Sequence, residues 1–390
     1  MRKIKIFLIA GEVSGDKFGA SLIRSLKSQY KGEIIFQAVG GDKMAAEGVS
    51  SIFPMSQISL MGFVEILPHI FRVLKLIKQT VCAIAKFKPD VVVTIDSPGF
   101  GIRVAKQIDR SHTKLVHYVA PSVWAYKPKR AVYLQKYYDL VLALLPFEPP
   151  YFTKVGLACE FVGHPSVEDN WAGSDPKIFR KKYNITSDAL VFGVMCGSRA
   201  GEVNRMLPIF AQTIDLFNKQ SKSYLKKKEV VWVFPTISLE LAEQIKNVMS
   251  KSGVNFLIPI NEPEKISMLK AMNFAIVKSG TISLEMAFAN VPMIVAYKFN
   301  KLTVWILRHI YKINTYASIV NILAKKEIIP ELLQEGCTAE KLSIALVKLT
   351  KGEGKNQVIE CKKILSQLMP KDKIKPSDKA AKLILDLIKP

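Results

Sequence analysis

The chain has 390 residues, with 56 Lys and Arg against 33 Asp and Glu, a formal net charge of +23. A content of 49% hydrophobic and 23% charged residues excludes a mainly disordered chain, and at roughly 100–200 residues per domain the length predicts two domains. The five cysteines, odd in number and never in a C-x-x-C pair, suggest neither a disulfide framework nor a zinc ribbon, so a reducing cytoplasm fits.

In chain order, the apolar run 6–10 is too short for a signal-peptide core or a membrane span, and no later run reaches about 18 apolar residues without charge. A strand is predicted over 3–10. The loop Gly11-Glu12-Val13-Ser14-Gly15-Asp16 follows and opens a helix over 17–27. Its glycines match neither G-x-G-x-x-G nor G-x-x-x-x-G-K-[ST]. Glu12 and Asp16 stand where a phosphate cradle wants only N–H groups, so the loop suits a neutral, hydroxyl-bearing ligand, with Ser14 and Asp16 as candidate contacts. The alternative makes Asp16 an ordinary N-cap and Glu12 a solvated loop residue.

After a strand over 34–39 comes a long apolar and basic stretch, 55–87. Met61, Phe63 and Val64 precede Pro68, and Phe71 and Leu74 then interleave with Arg72, Lys75 and Lys78. Such a segment suits acyl-chain or bilayer-interface contact, the competing reading being a core helix behind a hydrophobic loop. The strand over 91–95 lacks alternation, so both its faces are expected to be buried. It ends in Asp96-Ser97-Pro98-Gly99-Phe100, where Asp96 is a candidate general base; the alternative is a helix cap. Asp90 opens the same strand about 20 Å away at 3.3 Å per residue. It reads as structural and stays in reserve as a base with Glu12. Strands over 114–119 and 140–144 complete the first set. Domains are predicted at 1–168 and 190–350, with a linker over 169–189 and closing helices in the lysine-rich tail 351–390.

The second set of strands covers 190–195, 230–234, 255–258, 274–277 and 293–296. Cys196-Gly197-Ser198-Arg199-Ala200-Gly201-Glu202 follows the first of them and enters a helix. Gly197 permits close backbone approach, Ser198 and the helix N-terminus donate, and Arg199 adds a positive fork, which together suit a pyrophosphate. The bland reading is a plain strand–helix turn. A second seat, Lys278-Ser279-Gly280-Thr281, has Thr281 as expected N-cap. Glu285 lies beyond it among apolar residues, suited to accept two ribose hydroxyls or to pair with a nearby Lys.

Strands alternating with helices in both halves predict an α/β protein with two doubly wound, Rossmann-like sheets facing across a cleft, ligands collecting beyond the carboxyl ends of the strands. No Asp-x-Asp or H-E-x-x-H occurs, and the five histidines lack ligand spacing, so neither a metal nor another cofactor is expected. A leaving diphosphate would rely on Arg199 and helix ends.

Gly11 to Asp16, Gly40-Gly41, Met61-Gly62-Phe63-Val64-Glu65, Ile95-Asp96-Ser97-Pro98, Tyr118 to Ala125, Leu145-Pro146-Phe147-Glu148, Gly163-His164-Pro165, Gly197-Ser198-Arg199 and Ser279-Gly280-Thr281 occur in an order that resembles the lipid-A-disaccharide synthases, from the first strand to about Gln334. The resemblance implies a GT-B glycosyltransferase, cytoplasmic and peripheral on the anionic inner membrane of a Gram-negative bacterium. It would transfer 2,3-diacylglucosamine from UDP-2,3-diacylglucosamine to 2,3-diacylglucosamine 1-phosphate (lipid X), forming a β-1,6 disaccharide and UDP by an inverting, metal-independent route. It also implies a homodimer that exchanges C-terminal segments. By position, Glu12 would contact sugar or acceptor; Ser198, Arg199, Thr281 and Glu285 would bind UDP; Asn321 and Glu331 would help close the nucleotide site. Many relatives carry a second acid where this chain has Gly99, so the base falls to Asp96.

Two other readings compete. One is a related GT-B enzyme using unacylated UDP-GlcNAc. The other is a basic RNA-binding module, disfavoured because no RRM, KH or arginine-rich signature is present; no nucleic-acid partner is expected.

Overall fold

The computed structural model describes residues 2–59, 70–125, 128–225, 228–299 and 316–389. The chain forms two units, Met1–Glu168 with Leu368–Pro390, and Asp169–Gln367.

The first unit is a parallel sheet of β1 (Ile4–Ala10), β2 (Ile34–Val39), β3 (Val91–Ile95), β4 (Lys114–Tyr118), β5 (Leu140–Ala143) and β6 (Ala158–Phe161), in the order β2-β1-β3-β4-β5-β6. The second is a parallel sheet of β7 (Leu190–Met195), β8 (Val230–Val233), β9 (Phe256–Leu257), β10 (Phe274–Lys278), β11 (Met293–Tyr297) and β12 (Glu331–Leu333), in the order β12-β11-β10-β7-β8-β9. Parallel neighbours need crossover connections, which helices supply, and helices on both faces bury the central strands completely. All five residues of β3 and of β11 are buried. β6 and β12 escaped the sequence reading because they are short edge strands without a buried run.

In the first unit, Phe18, Leu22, Ile23 and Leu26 of the helix Val13–Gln29 pack on one sheet face with Ile4, Ile6, Leu8, Val91 and Val93. Helix Ile70–Phe87 covers the other face through Val73, Leu76, Ile77 and Ile84. The second core centres on Phe192, whose ring centroid lies 4.7 Å from that of Trp232 and 5.2 Å from that of Phe217.

Two segments differ from expectation. The stretch 169–189, read as linker, is folded within the second unit. Asp175 caps the helix Pro176–Lys182 by accepting from Lys177 N–H, Trp171 stacks on Phe288 at 5.5 Å, and the Arg180 guanidinium donates to the Ala189 and Ala271 carbonyls. The tail does not close as one block. Helix Gly354–Leu365 belongs to the second unit, where the Gln357 amide pairs with both backbone groups of Met293. Helix Pro376–Leu387 returns to the first unit, placing Ala380, Ala381 and Ile384 in its core. Glu168 accepts from Ser377 N–H and Oγ, each at 2.6 Å, and Ser25 Oγ donates to Asp378 at 2.7 Å.

Strand order reverses between β1 and β3 and between β7 and β10, the points where open α/β sheets present ligand crevices. Ala10 is register partner to Ile95, and Met195 to Val277. Within each unit, the two candidate loops therefore leave the sheet side by side.

Candidate functional site

In the first unit the loops after β1 and β3 touch. A Cβ built on Gly11 would stand 2.5 Å from Ser97 Oγ, so only glycine allows this approach. Ser14 Oγ donates to Asp96 Oδ2 over a long 3.4 Å, and Ser97 N–H donates to Oδ1 at 2.8 Å. Burial is the main influence on the Asp96 carboxyl and raises its pKa above the usual aspartate value, with the hydrogen bonds from Ser97 and Ser14 opposing it. Asp96 (φ 54°), Ser97 (φ 42°) and Val119 (φ 79°) all adopt left-handed backbone, the last a costly state for a β-branched residue. Such strain collects where geometry serves function. Glu12 is the exposed N-cap residue of the helix Val13–Gln29.

Two candidates are committed to the fold. Asp16 is buried within that helix, and its carboxylate accepts from the backbone N–H groups of Gly41 (2.8 Å), Lys43 (2.9 Å) and Met44 (3.1 Å), capping the helix Asp42–Ala46. It is thus neither a cap of its own helix nor a free ligand contact. Asp90 accepts from Lys5 N–H at 2.7 Å and pairs with Arg2 at the amino end of β3, opposite the crevice, so it has no access to the chemistry.

A further carboxyl at this rim, quoted within a motif but given no role from sequence, is Glu148. It follows β5 and accepts from Leu145 N–H at 3.0 Å and from Trp124 Nε1 at 3.3 Å. Burial pushes its pKa up to about 7. Its burial had no local signature, and its partner Trp124 lies 24 residues away.

In the second unit, Ser198 and Arg199 are exposed at the N-terminus of the helix Ala200–Ser221, with Arg199 as N-cap residue. Gly197, at φ 122°, approaches Glu202 so closely that a Cβ would meet the Glu202 Oε2 at 2.5 Å. Glu202 Oε2 accepts from Ser198 N–H at 3.3 Å, and its Oε1 is 2.6 Å from Lys278 Nζ. From sequence Lys278 only opens the second seat and Glu202 only ends the first loop; the pairing of an acid in the first turn after one loop with a lysine opening the other needs the sheet register to be seen.

The N-cap of the next helix, Thr281–Phe288, is Gly280 at φ 144° rather than Thr281, which is the first helical residue. Ser279 Oγ donates to the Ala317 carbonyl at 3.2 Å. Glu285 pairs with Lys265 at 2.6 Å, the plainer of its two expected roles. Asn321 and Glu331 are occupied by the chain itself. Glu331 accepts from Ala317 N–H at 2.6 Å, Ser318 N–H at 2.9 Å and Asn321 Nδ2 at 2.8 Å, while Asn321 Oδ1 accepts from Ile328 and Ile329 N–H. They hold the segment that Ser279 touches.

Met61, Phe63 and Val64 lie outside the described residues. Helix Ile70–Phe87 is a core helix with a second, exposed face: Phe71 is 84% and Leu74 52% exposed, with Arg72, Lys75 and Lys78 beside them. A groove of about 360 Å³ there is lined by Leu74, Ile77, Lys78, Arg103, Lys106 and Gln107. Among the described residues no helix is long and apolar enough to cross a membrane, and no group of three or more His, Cys, Asp or Glu is placed to hold a metal ion.

Solved structures share the fold at low sequence identity. UDP-GlcNAc 2-epimerase from Neisseria meningitidis, bound to UDP-GlcNAc, is 12% identical with a TM-score of 0.61, covering 99% of both chains. S. aureus MnaA, solved with UDP, is 14% identical with a TM-score of 0.62, covering 99% of this chain and 96% of the other. Both support a GT-B architecture of two Rossmann-like units. Sequence relatives are nearer. Lipid-A-disaccharide synthase of Rickettsia bellii is 43% identical over 385 residues, 97% of this chain and 98% of the relative. That of Rhodospirillum centenum is 37% identical over 391 residues, 100% and 96% of the two chains. A family model described as lipid-A-disaccharide synthetase matches residues 6–384, and the chain belongs to that family.

Proposed function

We propose that the chain transfers 2,3-diacylglucosamine from UDP-2,3-diacylglucosamine to the 6-hydroxyl of 2,3-diacylglucosamine 1-phosphate, with inversion to a β-1,6 disaccharide and release of UDP. The observation that carries this reading is Asp96: a partly buried carboxyl with a raised pKa, at the switch point of the first sheet, in a chain of this family. Asp96 takes the acceptor hydroxyl proton as that oxygen attacks the anomeric carbon, and the bond to the UDP oxygen breaks. The charge arriving on the diphosphate is met by Arg199 and by N–H groups at the helix N-terminus beginning at Ala200, so no metal ion is required. Glu12 contacts sugar. Gly197, Ser198, Ser279, Gly280 and Thr281 line the UDP seat, and Glu285 reaches the ribose from its pair with Lys265. Asn321 and Glu331 support this seat through the segment they hold.

The exposed Phe71 and Leu74, flanked by Arg72, Lys75 and Lys78, support peripheral attachment to an anionic membrane on its cytoplasmic side, with acyl chains of the substrates drawn from it. The contact of helix Pro376–Leu387 with helix Val13–Gln29, made by a second copy, would give a homodimer.

Purified protein given both acylated substrates in EDTA should release UDP in step with disaccharide. Loss of turnover in EDTA, or equal use of unacylated UDP-GlcNAc, would overturn the assignment.

A further inference from the structure

The second unit holds a charge arrangement that the reading so far leaves without a task. Lys278 ends β10 at the switch point, and continuing the parallel register from Val277 and Met195 sets it alongside Cys196, where the Ser198–Arg199 loop begins. Its side chain is only 23% exposed, and its Nζ lies 2.6 Å from Glu202 Oε1. Glu202, with a side chain 9% exposed, reaches the Ser198 N–H through its other oxygen and accepts from the Tyr297 hydroxyl at 3.4 Å. One carboxylate thus ties the loop after β7 to the end of β10.

A partly buried ion pair is weak evidence for stability, because an apolar pair of similar volume usually does as well. The surroundings also do not balance. Arg199, Arg205 and Glu202 all act electrostatically on the Tyr297 hydroxyl, and Lys278 Nζ stands 5.2 Å from the centroid of the same ring. Three cations against one acid leave a surplus of two positive charges in this set, beside a helix N-terminus of the same sign. A diphosphate supplies the missing negative charge. Resting on the UDP-donor reading above, we infer that Lys278 is a further diphosphate-binding residue of the seat, and that Glu202 is a positioning residue holding its ammonium group between the two loops.

The test compares UDP with uridine, which shares the nucleoside and lacks the phosphates, by titration calorimetry on the full chain. Lys278→Met should weaken UDP binding about tenfold, leave uridine binding unchanged and flatten the salt dependence of UDP affinity. Lys278→Arg should recover most of the loss. Glu202→Gln should raise the KM for the UDP-sugar donor several-fold with a smaller change in kcat. Equal weakening of UDP and uridine in Lys278→Met, or unchanged UDP affinity, overturns the role of Lys278 while leaving the donor reading intact. A wild-type chain that binds neither UDP nor uridine overturns the donor reading itself, and this inference with it.

Discussion

Ser14 and Asp96 lie on different loops, yet the Ser14 hydroxyl donates to Asp96 Oδ2 because β1 and β3 end in register at Ala10 and Ile95. That bond is long, and the main influence on the carboxyl is burial. Asp96 therefore retains its proton to higher pH than an ordinary aspartate and is a stronger base once ionised.

Asp96→Asn should lower kcat by about 10²–10⁴, the usual worth of a positioned general base, while urea unfolding shows no loss of stability, since the buried charge is removed. In the wild type, kcat should fall on the acid side as Asp96 takes up its proton, and the inflection should lie above the normal aspartate range. Full activity in the Asn variant would move the base to Glu12.

Arg199→Ala removes an exposed cation at a helix N-terminus. A loss of about 10²-fold in kcat/KM is expected, with the melting temperature unchanged. Steady-state kinetics and a thermal scan on the same preparation check both parts.

Asn321 and Glu331 should behave differently. Asn321→Ala strands the N–H groups of Ile328 and of buried Ile329 together with the Ile329 carbonyl. It should cost about 1–3 kcal/mol of stability in urea unfolding, with donor affinity falling as the Ser279 contact loosens. A variant as stable as the wild type would show that these hydrogen bonds are dispensable.

Glu148 sets a pH-dependent difference. Its pKa rises from an ordinary 4.5 to about 7 in the fold, so the folded chain keeps a proton the unfolded chain releases. The stability this confers is present below about pH 4.5 and is lost as pH climbs to 7, on the order of 3 kcal/mol if the whole shift is expressed. Glu148→Gln lacks this loss. The stability gap between variant and wild type in urea should therefore move in favour of the variant between pH 5 and pH 7.5.

Phe71→Ser with Leu74→Ser should reduce binding to anionic vesicles several-fold without changing the melting temperature, because neither side chain enters the core. Vesicle co-sedimentation at fixed salt gives the comparison.

The central strands were legible because continuous apolar runs such as 91–95 leave few alternatives, and the loops after them followed from the same runs. What those loops do internally was not legible. Asp16 and Glu12 look equivalent in sequence, but only the fold brings Gly41, Lys43 and Met44 to Asp16. The same holds for the Glu202–Lys278 pair, set by strand register, and for Asn321 and Glu331, set by a loop folding back on itself. The supposed linker misled because its polar residues serve as caps and ring stacks on the second unit rather than as spacers.

The return of helix Pro376–Leu387 to the first unit makes the second unit an insertion within it. During synthesis the ribosome must therefore finish all of Asp169–Gln367 before Ala380, Ala381 and Ile384 can join the first core beside helix Val13–Gln29. The unit begun first is completed last, and the apolar residues that helix Pro376–Leu387 covers stay open to chaperones until it docks.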